Sequence, residues 1–158
     1  AEALEIVTCC WPALQKSLLM RVEALGIQMR SLRARAALSA AVERRELLAF
    51  ARRESRSLRR GRARWGVALG EMIAACVESL SGRPDLALSN FALAEQSFAA
   101  AGMLLHELFA RLCRGQLIGG GEGRALIESA EAGLRAEAIV NPERLALVFA
   151  TAAFPSSR

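Results

Sequence analysis

The sequence offers few side chains that could carry out chemistry. His106 is the only histidine, so a Cys–His or Ser–His–Asp arrangement would have to be built around it. It lies in an apolar run, and no nucleophile stands beside it at helical spacing. Glu95 and Glu107 also lack a partner carboxylate at a spacing typical of acid–base catalysis or metal binding. A core or surface histidine is therefore favoured over a general base, and the sequence predicts no catalytic residue, metal site or cofactor.

Two further patterns could suggest chemistry, the cysteines and a glycine-rich segment. Cys9, Cys10, Cys76 and Cys113 form no Cys-x-x-Cys pair, so we expect four reduced, buried thiols in a cytoplasmic protein. Residues 119–123 read Gly-Gly-Gly-Glu-Gly but lack the Lys-Ser/Thr of a phosphate-binding loop. We expect a flexible turn between helices here, with Gly123 and Arg124 forming at most a weak anion site at the next helix start.

Arginine is the one residue type with a possible binding role that is clustered in one segment of the sequence. Between residues 44 and 64 it occurs repeatedly, and Glu46 and Glu54 are the only carboxylates there. On a helix over 44–60, an arc of about 100° carries Arg45, Arg52, Arg56, Arg59 and Arg60. Guanidinium groups bind carboxylates and phosphates. This arginine face could therefore bind a protein partner or a nucleic acid, or it could be a solvated surface with ion pairs to glutamates of neighbouring helices.

The elements that would position these residues are all predicted to be helices. Alanine and leucine are the most frequent residues and tyrosine is absent, so helix formers dominate a chain of 158 residues with a net charge of +5. No apolar run is long enough to span a membrane, and the start does not resemble a signal peptide. We therefore expect one all-α domain without a membrane span, and a cytoplasmic location.

Prolines and glycines divide the chain into about seven predicted helices. Pro12, Pro84 and Pro142 each stand where a helix can begin. Short connections make neighbouring helices antiparallel, which predicts a right-handed stack of helical hairpins. The predicted hairpins cover about 12–60, 63–101 and 103–138, and a final helix covers 142–153. Within them we expect helices from Pro12 to about Val42 with a bend at Gly26, and over 44–60, 65–80, 84–101, 103–113 and 123–138.

One hairpin resembles a known repeat. Residues 65–102 place small residues and one aromatic at the spacing of the tetratricopeptide repeat, with Glu71 where an aromatic residue is usual. The resemblance implies a tetratricopeptide-like α-solenoid whose first helices line a concave binding surface. The residues that carry this packing signature are Ala75, Gly82, Ala87, Phe91 and Ala94.

A broader resemblance extends over most of the chain. The segments WPALQKSLLMRVEALGIQMRSLRARAALSAA and LALSNFALAEQSFAAAGM, and the stretch GGGEGRALIESAEAGLRAEAIVNPERLALVFA, are similar to the C-terminal helical-repeat region of large bacterial multidomain proteins. In that family the repeats follow a Ser/Thr protein kinase domain and a signalling ATPase domain. The resemblance implies that catalytic domains lie upstream of Ala1 or on a separate chain.

Three functions follow from these observations. The leading hypothesis is a non-catalytic helical-repeat module that binds a protein or peptide partner, or other domains of a parent protein, to relay a signal. The second is a basic helical domain that binds nucleic acid through the arginine face. The third is a helical enzyme with a pocket around His106.

Overall fold

The computed structural model describes residues 2–139 and 141. This part of the chain contains seven α-helices and one short 3-10 helix, and no strand, which confirms the predicted all-α fold. The predicted helix 142–153 lies outside these residues. The helices are α1 (Glu2–Lys16), α2 (Glu23–Ala40), α3 (Leu47–Arg59), α4 (Arg64–Leu80), α5 (Pro84–Ala100), α6 (Leu104–Ile118) and α7 (Gly120–Ala136), with the 3-10 helix at Leu18–Arg21.

The helices pack in the order of the sequence. From α2 onward each helix lies against the next, and α2 also contacts α4. Because the connections between α3 and α7 are four residues or shorter, consecutive helices there run antiparallel. The described chain is therefore a stack of the hairpins α2–α3, α4–α5 and α6–α7. The handedness of this stack stays a prediction.

The core is formed by aliphatic and aromatic side chains and by small residues that pack between them. A large cluster joins α2 to α6, and a second cluster lies between α6 and α7. Phe91 and Phe98 of α5 are completely buried in the first cluster. Of the residues that resemble a tetratricopeptide repeat, Ala75, Ala87, Phe91 and Ala94 are fully buried, and Gly82 has a left-handed conformation at the α4–α5 turn.

The prediction of one long helix from Pro12 to about Val42 is wrong. Helix α1 begins ten residues earlier, at Glu2, and Pro12 lies inside it. It ends where the Ser17 hydroxyl donates a hydrogen bond to the Leu14 carbonyl at 2.7 Å, a local bond that competes with continued helix. A 3-10 helix follows before α2 starts at Glu23. The break thus falls before the predicted bend at Gly26.

The prediction of a flexible glycine-rich turn over 119–123 is also wrong. Only Gly119 separates α6 from α7, and α7 already includes Gly120 to Gly123. The reason is the close packing of the two helices. A Cβ atom built on Gly115 would lie 2.7 Å from the Gly123 carbonyl oxygen, and one on Gly123 would overlap the Gly115 carbonyl. Gly123 is buried inside this contact, and the proposed anion site at Gly123 and Arg124 is not at a helix start.

Other helix boundaries differ by a few residues. The predicted helix 44–60 is shorter at its start because residues 41–46 form turns, with the Arg44 amide bonded to the Ala40 carbonyl. The predicted helix 103–113 continues to Ile118, since the glycine at 115 is accommodated by packing instead of ending the helix.

Candidate partner-binding groove

The structure divides the predicted arginine face between several places. Arg52, Arg56 and Arg59 of α3 share one groove, whereas Arg45 lies beside the end of α4 and Arg60 follows the last residue of α3. The groove is formed by α3, α4 and the start of α5 and has a volume of about 280 Å³. Arg83, which the sequence did not single out, adds a fourth guanidinium. The groove is lined by Arg52, Ser55, Arg56, Arg59, Ala74, Val77, Glu78, Arg83 and Asn90.

The C-terminal end of α4 attracts three of the basic side chains. The Arg45 guanidinium donates a hydrogen bond to the Leu80 carbonyl oxygen at 2.7 Å. Arg52 lies 3.7 Å from the Glu78 carboxylate, and Arg83 forms an ion pair with its other oxygen. Carbonyl groups at a helix C-terminus carry partial negative charge and favour nearby cations. Arg45, Arg52 and Arg83 are therefore held partly by the protein itself.

Arg56 and Arg59 are the basic residues of this groove that the described part of the protein does not engage in an ion pair, whereas exposed Arg83 pairs with Glu78. Both Arg56 and Arg59 are exposed, and within the described residues the structure gives neither of them an ion pair. They stand three positions apart on α3, where side chains are neighbours on one helix face. The stem of Arg59 crosses α4 at Gly70, where a Cβ atom would lie 2.7 Å from the Arg59 Cγ atom. Because residue 70 is glycine, the aliphatic part of the Arg59 side chain can lie directly against α4 at this point.

The floor of the groove is rigid. The Ser55 hydroxyl donates a buried hydrogen bond of 2.8 Å to the Gly70 carbonyl, which ties α3 to α4. Ala74 and Val77 are buried beside it. The groove thus presents four guanidinium groups and one carboxylate on a fixed helical surface, with an excess of positive charge and no aromatic side chain in its lining. Such a surface is complementary to an extended acidic chain.

Elsewhere arginines form internal ion pairs, as the solvated-surface alternative expected. Glu54 of α3 is buried and accepts hydrogen bonds of 3.3 Å from both Arg30 and Arg33 of α2. The Arg33 guanidinium also lies 3.7 Å from the centroid of the Trp11 ring and 4.7 Å from that of Phe50. Burial lowers the pKa of Arg33, and Glu54 partly opposes this effect. This network joins α1 to α2 and α3 on a face away from the groove.

A second internal network lies between α5 and α6. Arg111 binds Glu95 at 2.8 Å and Glu107 at 2.7 Å, and Arg114 lies 2.7 Å from the other Glu95 oxygen. The hydrogen bond to Glu95 is the main cause that raises the pKa of Arg111. Glu95 and Glu107, considered above as acid–base candidates, therefore serve as partners of arginine.

His106 lies half-buried where α2, α4, α5 and α6 meet. Its ring centroid is 5.1 Å from that of Phe98, with the planes tilted by 41°. It shares a cavity of about 10 Å³, close to the size of one water, with Ser31 and Arg35. Burial, and to a lesser degree the charge of Arg35, lowers the pKa of His106.

The lowered pKa of His106 predicts a loss of stability in mild acid. The folded protein binds this proton less readily than the unfolded chain, so the histidine lowers the free energy of unfolding as pH falls below its unfolded pKa of about 6.5. We expect the wild-type protein to lose more stability between about pH 7.5 and pH 5.5 than a His106→Gln variant. Denaturant unfolding at both pH values measures the difference. Equal losses in the two proteins would contradict the prediction.

The cysteines follow the prediction only in part. All four are free, but Cys9 and Cys10 are exposed while Cys76 and Cys113 are buried. The exposed pair lies on α1. Trp11 is the only buried residue of this helix among those described. Burial raises the pKa of Cys76 to about 12 and that of Cys113 well above its ordinary value. These two thiols therefore remain protonated at neutral pH and pack as small apolar groups.

A larger and mostly apolar cavity of about 550 Å³ lies beside α1. Its walls come from α1, α2, α3 and the preceding turn, and include Leu4, Cys9, Leu47 and Phe50. Four arginines and one carboxylate line the groove of α3, α4 and α5. Over residues 2–139 and 141, three or more potential metal-ligating side chains do not cluster anywhere, and none of the helices is both long and apolar enough to cross a bilayer.

Two residues of the groove were missed by the sequence analysis although each leaves a signal. Glu78 is the only charged residue between Met72 and Gly82. Arg83 directly precedes Pro84, which begins α5, so its side chain must lie beside the α4–α5 turn. Comparison of the chain with protein families, with curated proteins and with solved structures finds no match.

Proposed function

We propose that this chain is a non-catalytic helical-hairpin module that binds an acidic segment of a partner protein in the groove of α3, α4 and α5. The observation that supports this function is the pair Arg56 and Arg59, exposed at a groove that already holds two further arginines. Guanidinium groups bind carboxylates through two parallel hydrogen bonds, which gives both attraction and orientation. A rigid floor lowers the entropy lost when the segment binds.

The partner segment would lie across the second helices of two hairpins. Arg56 and Arg59 are on α3, while Arg83 and Asn90 belong to the end of the α4–α5 turn and to α5. This surface differs from the one that a tetratricopeptide-like solenoid presents with its first helices. In the family that the sequence resembles, the acidic segment could belong to another domain of the same signalling protein, such as the kinase or the ATPase, and binding would relay a signal between domains in the cytoplasm.

Nucleic acid is the second candidate for the same arginines, since exposed Arg60, Arg62 and Arg64 extend the positive surface beyond the groove. One feature favours a protein segment. The lining of the groove has no aromatic side chain on which a base could stack.

Salt dependence of binding distinguishes the two candidates. We expect fluorescein-labelled hexaglutamate to bind saturably by fluorescence anisotropy and to lose about tenfold in affinity between roughly 50 and 200 mM NaCl, because a few partly exposed ion pairs are screened. A labelled short duplex DNA serves as the comparison. If the duplex binds more tightly and loses roughly a thousandfold over the same range, many phosphates are contacted and the nucleic-acid candidate is correct. Absence of saturable hexaglutamate binding at the lower salt concentration would overturn the proposal.

A further inference from the structure

Glu78 occupies the groove in the manner of a bound acidic side chain. It is the only carboxylate in the lining, and its side chain is 14% exposed. One of its oxygens lies 3.7 Å from Arg52, and the other forms an ion pair with Arg83. Two of the four guanidinium groups of the groove are thus already paired with one carboxylate of the chain, which offsets one of their two positive charges.

Arg52 and Arg83 would stay at the groove without this carboxylate. Arg52 lies within 3.4 Å of the Ser81 hydroxyl, to which it donates a hydrogen bond. The Ser81 hydroxyl itself donates to the Val77 carbonyl at 2.6 Å, so it is fixed at the end of α4. Arg83 is the residue directly before α5, and its backbone amide is bonded to the Glu78 carbonyl at 3.0 Å. The backbone and the end of α4 therefore keep both side chains near the groove.

We infer that Glu78 is an internal competitor that determines how acidic a partner segment must be to bind. This inference rests on the proposed function of the groove. With the Glu78 side chain in the groove, a partner has the exposed pair Arg56 and Arg59 to itself, and it reaches Arg52 and Arg83 only by displacing an intramolecular carboxylate. A segment with several carboxylates can do both, whereas a segment with two is limited to the exposed pair.

Neutralising Glu78 should therefore strengthen binding. We expect Glu78→Gln to increase the affinity for labelled hexaglutamate about fivefold at low salt, because a repulsive charge is removed and two arginines become available. The increase should be smaller, about twofold, for a labelled Glu-Ala-Ala-Glu peptide with blocked ends, which carries two carboxylates. The amide has the size of the carboxylate and can still accept a hydrogen bond from one arginine.

Glu131→Gln is the matched control, because it removes the same charge outside the groove. Glu131 lies on α7 and pairs with Arg135 four residues later at 3.3 Å. We expect this variant to change hexaglutamate affinity by less than about twofold, as a distant surface charge is screened. Thermal unfolding of both variants confirms that they are folded before the affinities are compared.

A second measurement uses the coupling between Glu78 and Arg83. In the wild-type background Arg83→Ala should lower hexaglutamate affinity less than it does in the Glu78→Gln background, since the segment must first displace Glu78 from this arginine. In the Glu78→Gln background the same substitution should remove most of the gained affinity. Equal effects of Arg83→Ala in both backgrounds would contradict the competitor role.

The outcomes separate this inference from the proposed function. If hexaglutamate binds to the wild-type protein and Glu78→Gln behaves like Glu131→Gln, the groove binds acidic segments but Glu78 does not compete with them. If Glu78→Gln weakens binding, the carboxylate positions the arginines instead, and the inference is wrong. If neither protein binds hexaglutamate, both the inference and the proposed function fail.

Discussion

Reversing the charge of both Arg56 and Arg59, by replacement with glutamate, should lower the affinity for hexaglutamate at least about thirtyfold. Each substitution removes an attraction and adds a repulsion of similar size at a groove arginine that forms no ion pair within the described residues. Because both side chains are exposed and neither contributes to the buried clusters, the variant should unfold at nearly the wild-type temperature. Fluorescence anisotropy at low salt measures the loss.

The control for this variant is a double reversal with the same change in net charge. Arg62→Glu combined with Arg64→Glu alters two exposed arginines near the α3–α4 turn, outside the groove. We expect it to weaken hexaglutamate binding by no more than about threefold, through the overall potential alone. If the two double variants lose equal affinity, binding depends on net charge and not on the groove, and the proposed function is wrong.

Replacing Gly123 with leucine should strongly destabilise the protein. We expect Gly123→Leu to lower the free energy of unfolding by about 3 kcal/mol, the upper part of the usual cost of overpacking. A Cβ atom at this position would overlap the backbone carbonyl of Gly115, and backbone cannot rotate away as a side chain can. Helices α6 and α7 must therefore separate, which exposes the cluster that contains Phe109, Leu112 and Leu134. Denaturant unfolding followed by circular dichroism measures the loss.

Gly121 provides the same substitution on the same helix without the contact. A Cβ atom there has nothing within 4 Å, and the residue is exposed. Gly121→Leu should leave stability unchanged or raise it by up to about 0.7 kcal/mol, because leucine has the higher helix propensity. A loss as large as that of Gly123→Leu would mean that the α7 backbone is sensitive throughout and that the Gly115 contact is not the cause.

The central hairpin was predictable from local signals. Pro84 fixes the first turn of α5, and Gly82 adopts the left-handed conformation that a tight turn after α4 requires. Within both helices the apolar residues recur with a helical period. The predicted boundaries agree with those of α4 and α5 within one or two residues. Local chemistry determines such boundaries, so one sequence is sufficient to predict them.

The two wrong predictions of secondary structure, the long helix from Pro12 and the turn over 119–123, concern residues whose conformation depends on distant neighbours. Residues 119–123 resemble a loop when only their own flexibility is considered, but residues 120–123 are helical and Gly123 packs against Gly115 of α6. Helix α1 likewise carries Trp11, which is buried against Arg33 from another helix. Such contacts form only after the helices assemble, and periodicity within one helix does not predict them.

The arginine face was predicted in composition but not in arrangement. A helical wheel places Arg45, Arg52, Arg56, Arg59 and Arg60 together, yet it contains no information about the end of α4. That end engages Arg45 and Arg52 and brings Arg83 into the same groove. The distinction between arginines that hold the protein together and arginines that face solvent therefore requires the tertiary structure.

The most direct test of the proposed groove is an NMR titration that follows the arginine Nε–Hε signals of isotope-labelled protein as hexaglutamate is added. The proposal predicts that the signals of Arg56 and Arg59 shift most and saturate together, while that of Arg53, which lies over the Phe50 ring on another side of α3, stays nearly constant. Shifts of equal size at all exposed arginines, or shifts confined to residues outside the groove, would contradict it.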